Sequence, residues 1–524
     1  MKLLKWLTLG LLLLSLISAA VLWSWGRFAQ RAVGAPSGAL PTQDAQTALD
    51  RWVRPLLDTH PEQTGALLVS DSLQAFAARA LSARQAERSL DVQYYLWHDD
   101  LTGRLLKDEL MAAAERGVRV RMLIDDMNGL TLDDSLLAMD AHPNLEVRLF
   151  NPARNRDTAW RRALEMGLRF VSFNRRMHNK AWVADNRVAL VGGRNIGNEY
   201  FDAADVNFHD ADLMLIGPAV AQTSDIFDAF WNHTAVIPLA ALHGASQRPF
   251  DLAAAREAWR AAAQGTAYAN ATLDDKHQPL ALFQRQQHHW VKALRVLSDP
   301  PAKAGAVASR RAPERWLVFD VLQTLFSART ELRLISPYFV PGNMGTLLFT
   351  GLAEREVDVG ILTNSLAAND VPAVHAGYRH YRQPLLEAGV QLWELKPGER
   401  GDGQGKPDGP KIAGSSGASL HTKAFVVDGT RGFVGSFNFD PRSASLNTEM
   451  GVLFDHPLLA QEVLRMFHHA KQPDTSYAVS LREDGGLQWQ DPKQDRVWTH
   501  EPGTTWGLRT LTRVMSWLPI ESQL

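Results

Sequence analysis

The chain reads as an α/β protein of two pseudo-symmetric lobes, each a mixed β-sheet flanked by helices, with one site between the lobes and a membrane helix at the N-terminus. Three observations predict this. Strand-like and helix-like segments alternate along most of the 524 residues, the pattern of sheets with helices on their faces. The order of those segments occurs twice. The chain also opens with about 20 mainly apolar residues, Trp6 to Trp25, enough to span a hydrocarbon core.

The elements follow in order. Residues 1–25 form a membrane anchor or a signal segment. The apolar run exceeds the ~7–15 residues usual for a signal peptide, and Trp6, Trp23 and Trp25 flank it as interfacial aromatics do. Ser18-Ala19-Ala20 keeps cleavage open as the alternative. Lys2 and Lys5 favour a cytoplasmic N-terminus with the body outside, and Arg27 and Arg31 weaken that orientation. Residues 26–60 are expected to be a linker. Lobe 1, residues 61–244, starts its repeat with SLDVQYYLW as a strand, a helix over Leu101–Arg116 ended by Gly117, and strands at Val118–Asp126 and Leu145–Phe150. KAWVADNRVALVGG then reads as two short strands joined at Asp185-Asn186.

Residues 245–312, rich in Ala and Gln, are expected to be a mostly helical insertion. Lobe 2, residues 313–480, repeats the order. ELRLISPYF is a strand, Met344–Arg355 a helix and VDVGILTNS a strand. A helix around Tyr378–Ala388 leads into VQLWEL, and LHTKAFVVDGTRGFVGSFN follows. Tyr94 and Tyr338 precede the histidines of their halves by 84 and 83 residues and read as counterparts. The Gly/Pro/Ser-rich stretch 397–418 reads as a loop, either an access rim to the site or plain surface. Residues 481–524 form a tail. Within it Leu508, Leu511, Met515 and Leu518 make one apolar stripe, which suits an interfacial helix or one packed on the body.

Composition excludes some chemistries. There is no cysteine, so disulfides, thiolate catalysis and Cys-ligated zinc are ruled out. A formal net charge of -2 gives no global attraction to nucleic acid.

One motif recurs. His178-Asn179-Lys180 with Asp185 fits H-x-K-x4-D, and His421-Thr422-Lys423 with Asp428 fits it again, 243 residues later. Gly192-Gly193 and Gly435-Ser436 come 14 and 15 residues after their histidines, and Asn195 and Asn438 both come 17 after. A lone histidine beside a strand is usually structural; two matching copies in matching places reverse that reading. Strand alternation puts each histidine on the face of its lysine. If the lobes face each other, two histidines and two lysines converge. One imidazole can attack phosphorus. The other can protonate the departing alkoxide and then deprotonate the incoming alcohol or water. His178, Lys180, Asp185, His421, Lys423 and Asp428 are the catalytic candidates. Within that set Asp185 and Asp428 suit fixing the strand turn better than touching substrate. Asn195, Asn438, Ser436 and the backbone of Gly193 are candidates to hold phosphate oxygens.

Each histidine needs an acceptor at its other ring nitrogen. Asp210, 32 residues after His178, and Glu449, 28 after His421, are the candidates, with Asp212 a weaker rival to Asp210. Asp125-Asp126 reads as a strand-end cap. His288-His289 and His468-His469 read as surface pairs. Neither HExxH nor a clear two-metal carboxylate cluster occurs, so no metal and no cofactor is expected.

With these residues in place, the chain resembles the phospholipase D superfamily, whose signature is H-x-K-x4-D followed by G-[GS]-x-x-N. AERSLDVQYYLWHDDLTGRLL, RRMHNKAWVADNRVALVGGRNIGNEYF, VHAGYRHYRQPLLEAGVQLWELKP and the terminal LPIESQL look like the bacterial cardiolipin synthase branch, particularly its C-type. The resemblance implies transfer of a phosphatidyl group from phosphatidylglycerol or phosphatidylethanolamine to phosphatidylglycerol through a phosphohistidine. It implies His178 as nucleophile and His421 as acid/base. Phospholipids and the bacterial inner membrane are the implied partners, with the body on the periplasmic side and no nucleic acid. An accessory subunit is left open. Hydrolysis by a phospholipase D-like site is the alternative; a nuclease or a non-catalytic scaffold ranks lower. Familiar cardiolipin synthases begin with two hydrophobic segments, whereas this chain shows one.

Overall fold

A computed structural model describes residues 2–42, 47–127, 132–156, 158–243, 250–273, 281–283, 288–304, 316–398 and 419–524. Lobe 1 is organised on a nine-stranded sheet. Its strands are β1 (Thr64–Val69), β2 (Ser89–Tyr94), β3 (Arg119–Asp125), β4 (Leu145–Phe150), β5 (Ala181–Ala184) and β6 (Val188–Gly192). A short β7 (Phe208–His209) stands apart, and β8 (Asp212–Ile216), β9 (Val236–Pro238) and β10 (His289–Val291) complete the sheet in the order β10-β1-β8-β6-β5-β2-β3-β4-β9.

Lobe 2 is organised on a ten-stranded sheet. It contains β11 (Ala293–Ser298), β12 (Glu331–Ile335), β13 (Asp358–Asn364) and β14 (Gln391–Leu395). A short β15 (Ser419–Leu420) pairs with β7 instead. Then come β16 (Lys423–Val427), β17 (Arg431–Gly435), β18 (Met450–Asp455), β19 (Ser476–Leu481), β20 (Leu487–Asp491) and β21 (Arg496–Trp498). The order is β11-β18-β17-β16-β12-β13-β14-β19-β20-β21.

The repeat is visible in the pairing. β2-β3-β4 and β12-β13-β14 are parallel, and the motif hairpins β5-β6 and β16-β17 run antiparallel beside them. Helices between the parallel strands cover the outer faces, as right-handed crossovers demand. The inner faces of the two sheets meet through small and branched residues, among them Ala181, Val183, Ala189 and Val191 from lobe 1 and Ala424, Val426, Val434 and Val452 from lobe 2. Alanine there lets the sheets approach closely, and this shared core fixes the lobes against each other.

The structure corrects several expectations. The N-terminal helix runs from Lys2 to Ala32, seven residues past the predicted end. The linker also holds a second helix, Ala48–Thr59, capped by a Thr47–Asp50 box and burying Leu49 and Val53. The described part of residues 245–312 holds helices Leu252–Ala263 and Ala267–Ala271, and it also contributes strands that were not expected: β10 to one sheet and β11 to the other, so the chain changes lobes at Lys292. Two consecutive strands can do this because one residue suffices to redirect extended chain. His289 is not on the surface; it is buried, with Nε2 3.0 Å from Glu462. Tyr94 and Tyr338 are not counterparts. Asp185 N–H donates to Ser89 and Asp428 N–H to Glu331, which aligns Tyr94 with Ser336 and Leu96 with Tyr338. Most of the 397–418 stretch, residues 399–418, lies outside the described residues.

Candidate active site

The two motif histidines line one pocket of about 660 Å³, together with Asn195, Asn438, Tyr95, Tyr200 and Tyr338. Each lies just ahead of its motif strand, in a segment that pairs with the opposite lobe. His178 N–H donates to Thr448 C=O at 2.8 Å, and His421 N–H to His209 C=O at 2.9 Å. Both acceptors immediately precede the acids singled out from sequence.

The acids therefore cross over. His178 Nδ1 lies 2.7 Å from Glu449 Oε2, and His421 Nδ1 lies 2.6 Å from Asp210 Oδ2. Each imidazole is oriented by the carboxylate of the other lobe, not by the acid downstream in its own. Sequence order pointed to the residue types and missed the exchange. Asp212 is no rival: its carboxylate is taken by Arg79 at 2.9 Å and Arg194 at 3.3 Å.

With Nδ1–H on a carboxylate, Nε2 of each ring is left for chemistry. Burial pushes His178 down to about 4, against the pull of Glu449, and pushes His421 well below its ordinary value. A neutral imidazole is the nucleophilic form. Tyr95 meets His178 edge-on at 5.0 Å, while Phe208 stacks on His421 at 5.1 Å.

Lys180 and Lys423 are buried, and each donates from Nζ to the carbonyl of its own motif histidine. Burial lowers Lys180 well below its usual range and Lys423 to about 8. The negative charge of a phosphodiester favours their protonated forms. Asn195 accepts from Leu96 N–H at 3.2 Å and donates to the Tyr200 hydroxyl at 2.8 Å. Asn438 Oδ1 is buried without a hydrogen-bond partner.

Ser436 does not face phosphate. Its hydroxyl donates to Glu449, and Ser443 donates to the other Glu449 oxygen at 2.9 Å. Gly193 occupies the matching place in lobe 1, where a Cβ would stand 2.2 Å from Asp210 Oδ1. Asp185 and Asp428 stay at the hairpin turns, both at positive φ. Asp185 accepts backbone N–H groups of Glu87, Arg88 and Ser89, and Asp428 those of Arg329, Thr330 and Glu331. They brace strand ends and do not reach the pocket lining.

Some contributors were missed. Asp125, read as a plain cap, accepts from Met177 N–H at 2.9 Å and pairs with Arg176 at 3.2 Å. It thus holds the backbone just before His178. Gln523 and Leu524 line the pocket. Arg442 N–H donates to Leu524 C=O, and Asn174 donates to Gln523 Oε1 at 2.7 Å. The LPIESQL stretch hinted at this only through its resemblance. Among the described residues, the group of His98, Asp100 and Glu199 has metal-like spacing. Its atoms are otherwise engaged: His98 Nδ1 lies 2.9 Å from Glu199, and Asp100 caps Gly103 and Asn198.

The profile described as "Cardiolipin synthase, PLD-like domain" matches residues 82–231 and 321–471, one match per lobe. The chain belongs to this family. It is 42% identical over 486 residues to cardiolipin synthase C of Escherichia coli K12, covering 90% of this chain and 98% of that one. It is 25% identical to a cardiolipin synthase of Geobacillus kaustophilus, over 78% of this chain and 67% of the relative. The fold is similar to that of the phosphatidylserine synthase of Haemophilus influenzae, with a TM-score of 0.57 at 15% identity over 95% of this chain and 99% of that one. Among the described residues, one helix, Leu4–Ala32, is long and apolar enough to cross a membrane. With the family membership, it associates the chain with membranes.

Proposed function

We propose that the chain is a phosphatidyltransferase that makes cardiolipin from a phosphatidyl donor and phosphatidylglycerol. The observation that carries this reading is the crossed pair of histidine–carboxylate contacts in a pocket of a cardiolipin synthase-family chain. His178 Nε2 attacks the donor phosphorus and the P–O bond to the head group breaks; His421, which takes up a solvent proton on Nε2 as the anionic phosphodiester binds beside it, delivers that proton to the departing oxygen. The diacylglycerol phosphate is then bonded to His178. A hydroxyl of phosphatidylglycerol gives its proton to His421, its oxygen attacks phosphorus, and the P–N bond breaks. Lys180, Lys423, Asn195 and Asn438 hold the phosphate oxygens as charge builds.

The supports favour this assignment of roles. Glu449 lies below its ordinary pKa: burial raises it, and His178, Lys180 and the Ser436 hydroxyl more than compensate. A firmly ionised carboxylate stabilises the positive ring of a phosphohistidine. Asp210 is raised by burial, which suits a partner for a proton that comes and goes.

The donor is phosphatidylglycerol or phosphatidylethanolamine, and the body faces the periplasm from the inner membrane. The test incubates the purified full chain with labelled phosphatidylglycerol, with and without phosphatidylethanolamine. Cardiolipin is the expected product. Phosphatidic acid alone would replace this reading with hydrolysis.

A further inference from the structure

Residues 159–173, AWRRALEMGLRFVSF, form a lip on lobe 1: a helix Ala159–Leu168 followed by a short turn of helix Phe170–Phe173. The lip is inside out. Trp160, Leu164, Phe170 and Val171 are 63%, 54%, 57% and 63% exposed, while Arg162, Glu165 and Arg169 are buried. The buried charges are matched, Glu165 to Arg169 at 2.8 Å and Arg162 to Asp126 at 3.3 Å. Polar groups thus face the protein and apolar ones face outward, the reverse of a helix on a water-facing surface.

Two neighbours say what covers this face. On one side is the N-terminal helix. Its Val21, Ser24 and Trp25 share a cleft with Trp160, Leu164 and Leu168 of the lip. Trp25 Nε1 donates to Pro152 C=O at 3.1 Å, and the Arg169 guanidinium stands 4.0 Å over the Trp25 ring. The membrane helix is docked on the lip, not strung from it, so the bilayer it enters begins beside the lip. On the other side is the catalytic pocket, whose lining includes Met166, Gly167, Phe170 and Phe173. Exposed Arg154 and Arg161 fringe the apolar face, and the one carboxylate within 159–173, Glu165, points inward. That charge pattern suits anionic head groups.

We infer that residues 159–173 sit in the interfacial layer of the bilayer and seat the pocket mouth on it. Lipid then passes from the leaflet to the two histidines along Phe170 and Phe173 without crossing water. The passage rests on the lipid reading given above; the membrane contact itself does not.

The absence of cysteine makes the test direct. Leu164→Cys and Val171→Cys, each in the full chain reconstituted in phosphatidylcholine/phosphatidylglycerol vesicles, carry an environment-sensitive dye. Asp484→Cys, on the exposed turn between β19 and β20, is the control. Spin-labelled lipids are expected to quench the dye at 164 and 171 at least about threefold more than at 484, with blue-shifted emission. Equal quenching at all three positions overturns the inference. No turnover is needed, so the outcome is independent of the lipid product assay. The triple variant Trp160→Gln, Leu164→Gln, Val171→Gln, none lining the catalytic pocket, adds a kinetic arm. It is expected to lose about tenfold on vesicle lipid and less than about twofold on a soluble short-chain lipid. Equal losses on both substrates count against a membrane role.

Discussion

The two lobes carry the same motif but do not support it in the same way. His178 leans on a glutamate whose oxygens also receive the hydroxyls of Ser436 and Ser443. His421 leans on an aspartate whose other oxygen receives, among the described residues, only the next backbone N–H, from Ala211 at 2.8 Å, with glycine where lobe 2 has serine. A side chain one methylene longer leaves room for a hydroxyl; the shorter one fills that space with its own carboxylate. The two half-sites are similar, but the groups around Glu449 hold it below its ordinary carboxylate value, whereas burial raises Asp210.

The largest effect should separate the histidines. His178→Ala and His421→Ala should both lose more than about 10⁴-fold in kcat. Only His421→Ala should retain radiolabel from donor phosphate on the protein after a rapid quench in alkaline detergent, which preserves a P–N bond. Label on His178→Ala instead would exchange the assigned roles. Next come the acids. Glu449→Gln should cost about 10³-fold and Asp210→Asn about 10²-fold in kcat/KM; equal losses would erase the asymmetry between the lobes.

The pH profile sharpens the comparison further. His178 titrates near 4, so above about pH 5 it is already neutral and imposes no acid limb. Lys423, at about 8, loses its cation as pH rises through that value, so kcat/KM should fall on the alkaline side. Lys423→Arg should shift that limb upward, since guanidinium keeps its charge. A profile whose alkaline limb is unmoved in Lys423→Arg would assign the limb to another group.

The smallest effects concern scaffolding. Gly193→Ala should lower stability by about 1–3 kcal/mol in urea unfolding, because the added carbon must displace the Asp210 carboxylate. Ser436→Gly should cost only about 1 kcal/mol. Asp185→Ala should reduce Tm more than Asp428→Ala, since Asp185 is fully buried and Asp428 is part exposed.

Much of this was legible in the sequence because repeated elements carry repeated signals. Leu145–Phe150 was read to the residue, and the β5-β6 hairpin around Asp185-Asn186 matched its alternation. The helix expected over Leu101–Arg116 ends at Glu115, with Gly117 at positive φ. The site residues were legible as types at fixed spacing. What was not legible is what depends on two distant segments meeting. The exchange of Asp210 and Glu449 between histidines is set by how the sheets stack, and no local pattern records it. Likewise β10 (HWV) and β11 (ALRVLS) are short strands at the edges of two different sheets, and nothing local in either says which sheet it joins. The C-terminal stripe does not lie on one face. Leu508 and Thr512 face the body, while Trp506, Leu511, Val514, Trp517 and Leu518 are exposed. A buried threonine that satisfies its hydroxyl on Leu508 C=O at 3.0 Å can occupy a core-facing position that hydropathy assigns to solvent.

The exchanged carboxylates also set a time at which the molecule becomes dangerous. A ribosome releases lobe 1 with His178 in place and its acid still unmade; lobe 2 then supplies Glu449 and takes up Asp210 in the same docking step. Neither half supplies both an imidazole and the carboxylate that orients it, so a growing or truncated chain is expected to be chemically silent. Both oriented imidazoles exist only once the two halves have folded against each other.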